Sequence, residues 1–254
     1  LDPSVKGYVG QQRRAALKQM EKNRAFYQAD LTRNRNSVNR LTARIRNALL
    51  THLEPTEVRS SSGTLDAGRI WRGLDDDKVF IKVLKTDPGG LSVDILLDAS
   101  TSQLDRQETV ASQGYMIAES LTRCGIPVRV SAFCSLSGYT VLTRYRDYQE
   151  TDKNDHIFRY FTTGCNRDGL AIRALGKEME DSPCEHRMVI LLSDAKPHDI
   201  KKLVLPNESL DYSQDPGINN TAAEVRSLMH RDIAVVCVFT GDDEDVPAAH
   251  TIYG

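Results

Sequence analysis

From residue 91 onward the chain alternates short apolar runs with amphipathic ones, and this rhythm limits the fold more than any other feature. "VDILL" (93–97), "PVRVSAFC" (127–134), "RMVILL" (187–192) and "IAVVCVF" (233–239) have the length and composition of strands. "YTVLTRYR" (139–146) is a further strand, joined to the second run by a Ser-Gly turn. Leu104, Val110, Ile117 and Leu121 mark a helical stripe that Gly125 can close. "GLAIRALGKEM" (169–179) and "AAEVRSLMHR" (222–231) read as helices. "RMVILL" and "IAVVCVF" lack polar alternation, as strands buried on both faces do. The pattern predicts an α/β fold: a doubly wound, mainly parallel sheet with helices on both faces, preceded by a small helical N-terminal segment.

Residues 1–54 read as a helical hairpin or arm. Residues 8–34 are rich in helix-forming Gln, Arg, Lys and Ala. A second helix is expected over 37–53, with Ser37 at its start, Pro55 after its end, and Val38, Leu41, Ile45, Ala48 and Leu49 on one face. Arg40, Arg44 and Arg46 fall largely outside that face, as a solvated surface or as a docking surface for an acidic partner. Residues 55–90 are expected to connect: "SSSGTLDAG" (60–68) is turn-rich, "KVFIKVLK" (78–85) alternates like a strand, and "DPGG" (87–90) marks the boundary before a main domain at 91–254.

Composition excludes several classes. A net charge of −2 over 254 residues gives no overall attraction to nucleic acid or anionic membrane. No apolar run approaches the roughly 20 residues that span a bilayer. No signal peptide is visible and residue 1 is Leu, so the expectation is a cytoplasmic protein cut from a longer chain. Five scattered cysteines without CxxC spacing argue for reduced thiols rather than a disulfide framework or a zinc site.

The chemistry gathers at strand ends. In open α/β sheets ligands bind beyond the carboxyl ends of the strands. There "ILLD" ends in Asp98 and "VILLSD" in Asp194. Each carboxylate leaves an apolar core, where an unpaired charge is costly, and a shared cation would relieve both. Ser100 and Ser102 follow Asp98 at alternate positions, and hydroxyl with carboxylate oxygens suits magnesium, manganese or calcium. Ser102 also reads as the N-cap of the helix beginning near Leu104, which leaves Asp98 and Asp194 unexplained.

Asp98-Ala99-Ser100-Thr101-Ser102 resembles the DxSxS signature of von Willebrand factor A (VWA) domains. The resemblance covers residues 91–254 and keeps the family's order: DxSxS after the first strand, a polar loop before a middle helix, and an aspartate, here Asp194, after the fourth strand. It implies a metal-ion-dependent adhesion site holding one divalent cation, Mg2+ or else Mn2+ or Ca2+. The middle loop departs from the family. Where a threonine is usual, "FTTGCNRDGLAIR" (161–173) offers Asn166, Asp168 or Thr163. "NRDGLAI" and the upstream "SGTLDAGRIWRGL" are similar to stretches in cobaltochelatase subunits and nitric oxide reductase activation proteins.

That subgroup resemblance implies a non-catalytic adaptor working with a MoxR-type AAA ATPase on a metalloenzyme target. A protein target would offer an acidic residue to the metal. Gln103, Arg167, Lys196 and His198, with Asp199, are candidate partner contacts or solvated loop residues. The family also adds a further strand and a closing helix, so the end at "HTIYG" is expected to leave a sheet edge exposed, with "GDDEDVP" (241–247) as a solvated loop. Two other readings stand: a structural VWA domain without a functional metal site, and an aspartyl-phosphate phosphohydrolase. The latter needs a second aspartate where Ser100 stands. Neither a P-loop nor a GxSxG elbow is present.

Overall fold

The structure is a computed structural model that describes residues 7–52, 56–60, 64–65, 80–84, 90–204, 206 and 208–254, with the backbone alone for 50–52 and for the three short strands before residue 90. Pro55 and the expected breaks at 61–63, 66–68 and 87–89 lie outside the described residues. The chain divides into two compact units. One joins residues up to Thr42 with Gly90–Gly254; the other is Ala43–Gly89.

Two helices come first, α1 (Tyr8–Ala29) and α2 (Leu31–His52), separated by Asp30 alone. The second helix thus begins six residues before Ser37, which lies inside it and caps nothing. Asn34 secures the junction by donating to the Tyr27 carbonyl at 2.8 Å. In the smaller unit, β1 (Thr56–Ser60), β2 (Thr64–Leu65) and β3 (Phe80–Leu84) form an antiparallel sheet in the order β1-β3-β2.

The larger unit is built on β4 (Leu91–Asp98), β5 (Val128–Leu136), β6 (Tyr139–Arg146), β7 (His186–Ser193) and, from further along the chain, β10 (Ile233–Phe239). Their order is β10-β7-β4-β5-β6, with β6 antiparallel and the rest parallel. A hairpin of β8 (Asp199–Val204) and β9 (Ser209–Tyr212) stands apart. Helices α3 (Gln107–Arg123), α4 (Asp168–Glu178), α5 (Gln214–Met229) and α6 (Val246–Tyr253) complete the unit. The predicted fold class is the observed one.

β4 is the central strand, and Val93, Ile95, Leu96 and Leu97 are wholly buried because helices cover both faces. On one side Ile172 and Leu175 of α4 and Val225 and Leu228 of α5 pack against Leu96, Val189 and Leu191. α1 adds to α3: Tyr27 meets Tyr115 edge-on at 4.9 Å and Phe158 at 5.5 Å.

Three expectations need correction. "IAVVCVF" is not buried on both faces; as β10 it is an edge strand paired only with β7, and Val236 is 44% exposed. The helix after β4 begins with a 3-10 turn, Thr101–Arg106, so Ser102 caps nothing and Leu104 is 54% exposed rather than part of the stripe. Residues 243–245 form another 3-10 turn leading into α6, where a loop was expected.

Candidate functional site

The carboxyl ends of β4 and β7 deliver Asp98 and Asp194 to one place, and the N-terminus of α4 brings Asp168 beside them. All three are at most 1% exposed. Ser100 is buried too, while Ser102 faces solvent. Their hydroxyls lie 2.7 Å apart.

Asp98 is already engaged on both oxygens. Oδ1 accepts the Ser100 backbone N–H at 2.9 Å, and Oδ2 accepts Asn166 Nδ2 at 3.2 Å. Its carbonyl accepts the Tyr160 hydroxyl. Burial, and then the neighbouring Asp194, push its carboxyl up to about 7 despite these bonds. Burial followed by Asp98 and Asp194 holds the Asp168 carboxyl well above the ordinary range. Neither Asp168 oxygen has a close hydrogen-bond partner in good geometry, although the Ser193 hydroxyl and its own backbone N–H offset a part of the upward push. Asp194 Oδ1 accepts the Lys196 backbone N–H at 3.2 Å.

The middle-loop alternatives now separate. Asn166 spends its amide as a bridge: Nδ2 donates to Asp98, and Oδ1 accepts the His198 N–H at 3.0 Å. Turning the amide over would set a donor against the His198 donor, so this orientation is fixed by both neighbours. Thr163 donates its backbone N–H to the Ala99 carbonyl at 2.8 Å, closing the loop onto the DxSxS segment. Asp168 alone of the three has a buried oxygen donor without a partner. Gly164, at φ +68°, lets this loop cross β5, since a Cβ there would sit 2.3 Å from the Ser135 carbonyl oxygen.

The donors fit a hard cation. The site has two converged hydroxyls and three buried carboxylates, one with both oxygens idle. Among the described residues no three Asp, Glu, His or Cys side chains are gathered so as to hold an ion by themselves. An ion here therefore depends on the serine hydroxyls.

No family model and no curated protein matches the sequence. Solved structures do match the fold. The three N-terminal domains of the type V pili tip protein Mfa5 from Porphyromonas gingivalis align at a TM-score of 0.50 with 11% identity, over 65% of this chain and 44% of that one. The vWF domain of the same protein aligns at 0.48 with 12% identity, over 65% of this chain and 85% of that one. The chain has the VWA fold. Manganese-loaded TRAP protein from Plasmodium vivax aligns at 0.42 with 16% identity, over 64% of this chain and 63% of that one. The chain spans under half the length of the first of these.

The expected partner contacts divide differently. Gln103, expected at the VWA surface, is fully buried and donates to Thr240 Oγ1 at 2.9 Å; this corrects its assignment. Arg167 is mostly covered. It reaches Asp199 at 3.4 Å, the Lys201 and Lys202 carbonyls, and the Tyr212 ring at 4.7 Å, pinning the β8–β9 hairpin to the middle loop. Asp199 is itself buried. Lys196 pairs with Asp245 at 2.8 Å, and His198 remains exposed. Sequence reading missed Tyr160 and the hairpin. An aromatic in an irregular loop and a short polar strand pair carry no periodic signal.

Proposed function

We propose that this VWA domain is a metal-dependent protein-interaction module, and that the chain acts in the cytoplasm as the non-catalytic adaptor of a MoxR-type AAA ATPase in metalloenzyme activation or metal insertion. The observation that carries the metal is the pair of idle oxygens on buried Asp168, set beside Asp98, Asp194 and the paired hydroxyls of Ser100 and Ser102. Ser100 and Ser102 would hold Mg2+, Mn2+ or Ca2+, with Asp98, Asp168 and Asp194 supplying the compensating charge. The ion supplies an electrophilic place for a partner's carboxylate.

The chain's own residues prepare that place. The Ser100 N–H and Asn166 amide orient Asp98, and the Asn166–His198 bridge links the middle loop to the segment after Asp194. Asp98, Asp168, Asp194 and Ser100 are buried, and Ser102 is the exposed member of the set. No helix among the described residues is long and apolar enough to cross a membrane. The ATPase partnership is supported by the "NRDGLAI" and "SGTLDAGRIWRGL" resemblance. It is tested by gel filtration of the full chain with the MoxR-type ATPase of the same organism. Co-elution in magnesium that is lost in chelator supports the adaptor role; separate elution in both refutes it.

A further inference from the structure

Helix α1 is not only a strut on α3. Tyr8, Gln12, Ala15, Gln19 and Lys22 recur at three- and four-residue spacing, so they share one face of it. That face forms a wall of an open groove of about 560 Å³. The rest of the lining comes from the metal-loop region: Thr101, Thr163 and Gly164, with Leu104 and Phe161. Thr101 is bonded to the Gly164 carbonyl through both its N–H, at 3.0 Å, and its hydroxyl, at 2.9 Å. The groove thus ends beside the residues flanking Ser100 and Ser102.

Its chemistry is uneven in sign. Lys18 and Lys22 line it, are exposed, and make no ion pair among the described residues, while no acidic residue lines it. α1 as a whole sets Arg13, Arg14, Lys18, Lys22 and Arg24 against Glu21 alone. The apolar elements are Tyr8, 71% exposed, and Leu104, 54% exposed. Two large exposed apolar groups and two lysines give the groove a mixed apolar and cationic lining.

We propose that this groove binds an extended acidic segment of a partner protein that alternates acidic with apolar side chains. Its carboxylates meet Lys18 and Lys22, and its apolar side chains rest on Leu104 and Tyr8. The proposal rests on the proposed function in one respect only: the segment's end nearest Thr101 supplies the carboxylate for the cation. The α1 wall needs no metal.

The test uses the full chain and a fluorescein-labelled peptide alternating leucine with aspartate, followed by anisotropy in magnesium and again in chelator. A leucine–asparagine peptide and a single-stranded oligonucleotide are the comparators. Lys18→Glu with Lys22→Glu should weaken the acidic peptide by roughly three- to tenfold in both buffers, as expected for two exposed charge contacts. Leu104→Asn should weaken it as well. Unchanged melting temperatures show that the variants fold. Equal binding by the double variant, equal binding of the asparagine peptide, or tighter binding of the oligonucleotide overturns the proposal. If chelator changes nothing while the lysine effect persists, the groove stands and the metal reading fails. If chelator abolishes binding while the lysine changes do nothing, the groove fails and the metal reading stands.

Discussion

Asp98 is held by two donors and still resists ionisation, because burial and Asp194 outweigh the Ser100 and Asn166 bonds. Its carboxyl moves from 3.8 to about 7 on folding, so the folded state binds the proton more tightly. Stability of the metal-free protein should therefore fall as pH rises between those values and level off above about 7. Thermal unfolding in chelator should give a lower melting temperature at pH 8 than at pH 5.5, with the gap narrowed by Asp98→Asn; an unchanged gap refutes this assignment. Asn166 has a different task. Asn166→Ala leaves the His198 N–H only its bond to the residue-166 backbone carbonyl and removes a donor from Asp98, and denaturant unfolding should show a loss of about 1 kcal/mol. Asp98, Ser100, Ser102 and Asp194 were legible in the sequence because each follows an apolar strand at a fixed offset. The choice between Asn166 and Asp168 was not, since it depends on which side chain the His198 backbone occupies.

Among elements, α1 carries a consequence that its polar sequence hides. Asn23 is fully buried, and its Nδ2 donates to the carbonyls of Phe158 at 3.0 Å and Tyr160 at 2.9 Å. The Tyr160 ring in turn reaches the Asp98 carbonyl. The helix therefore braces the backbone that supports the site from behind. Asn23→Ala leaves two buried acceptors without this donor and should cost about 2 kcal/mol in chemical unfolding; a change within error would mean that water replaces it fully. Central strands were easy to read because β4 carries the unbroken apolar run Ile95-Leu96-Leu97 just before Asp98. β10 looked the same in sequence, yet it lies at the sheet edge, and strand order is set by long-range pairing that composition does not encode. The start of α2 at Leu31 was hidden because Arg33, Asn34 and Arg35 suit either a helix or a loop.

At the scale of the whole molecule, the VWA fold turns separated sequence segments into one surface. The loop after β4, the loop before α4 and the loop after β7 meet because β4 and β7 are parallel neighbours and α4 enters at the same end. The isolated bridges Ser135–Cys165 and Asn166–His198 lock the middle loop to both sides. A cation at this meeting point would bind the folded chain and not the unfolded one, so it should raise the melting temperature with concentration. The most direct measurement is calorimetric titration of metal-free full chain with magnesium and manganese at pH 8. The account predicts one site per chain, lost in Ser100→Ala with Ser102→Ala while that variant stays folded. No heat and no stabilisation in the unaltered protein, or undiminished binding in the double variant, would contradict it.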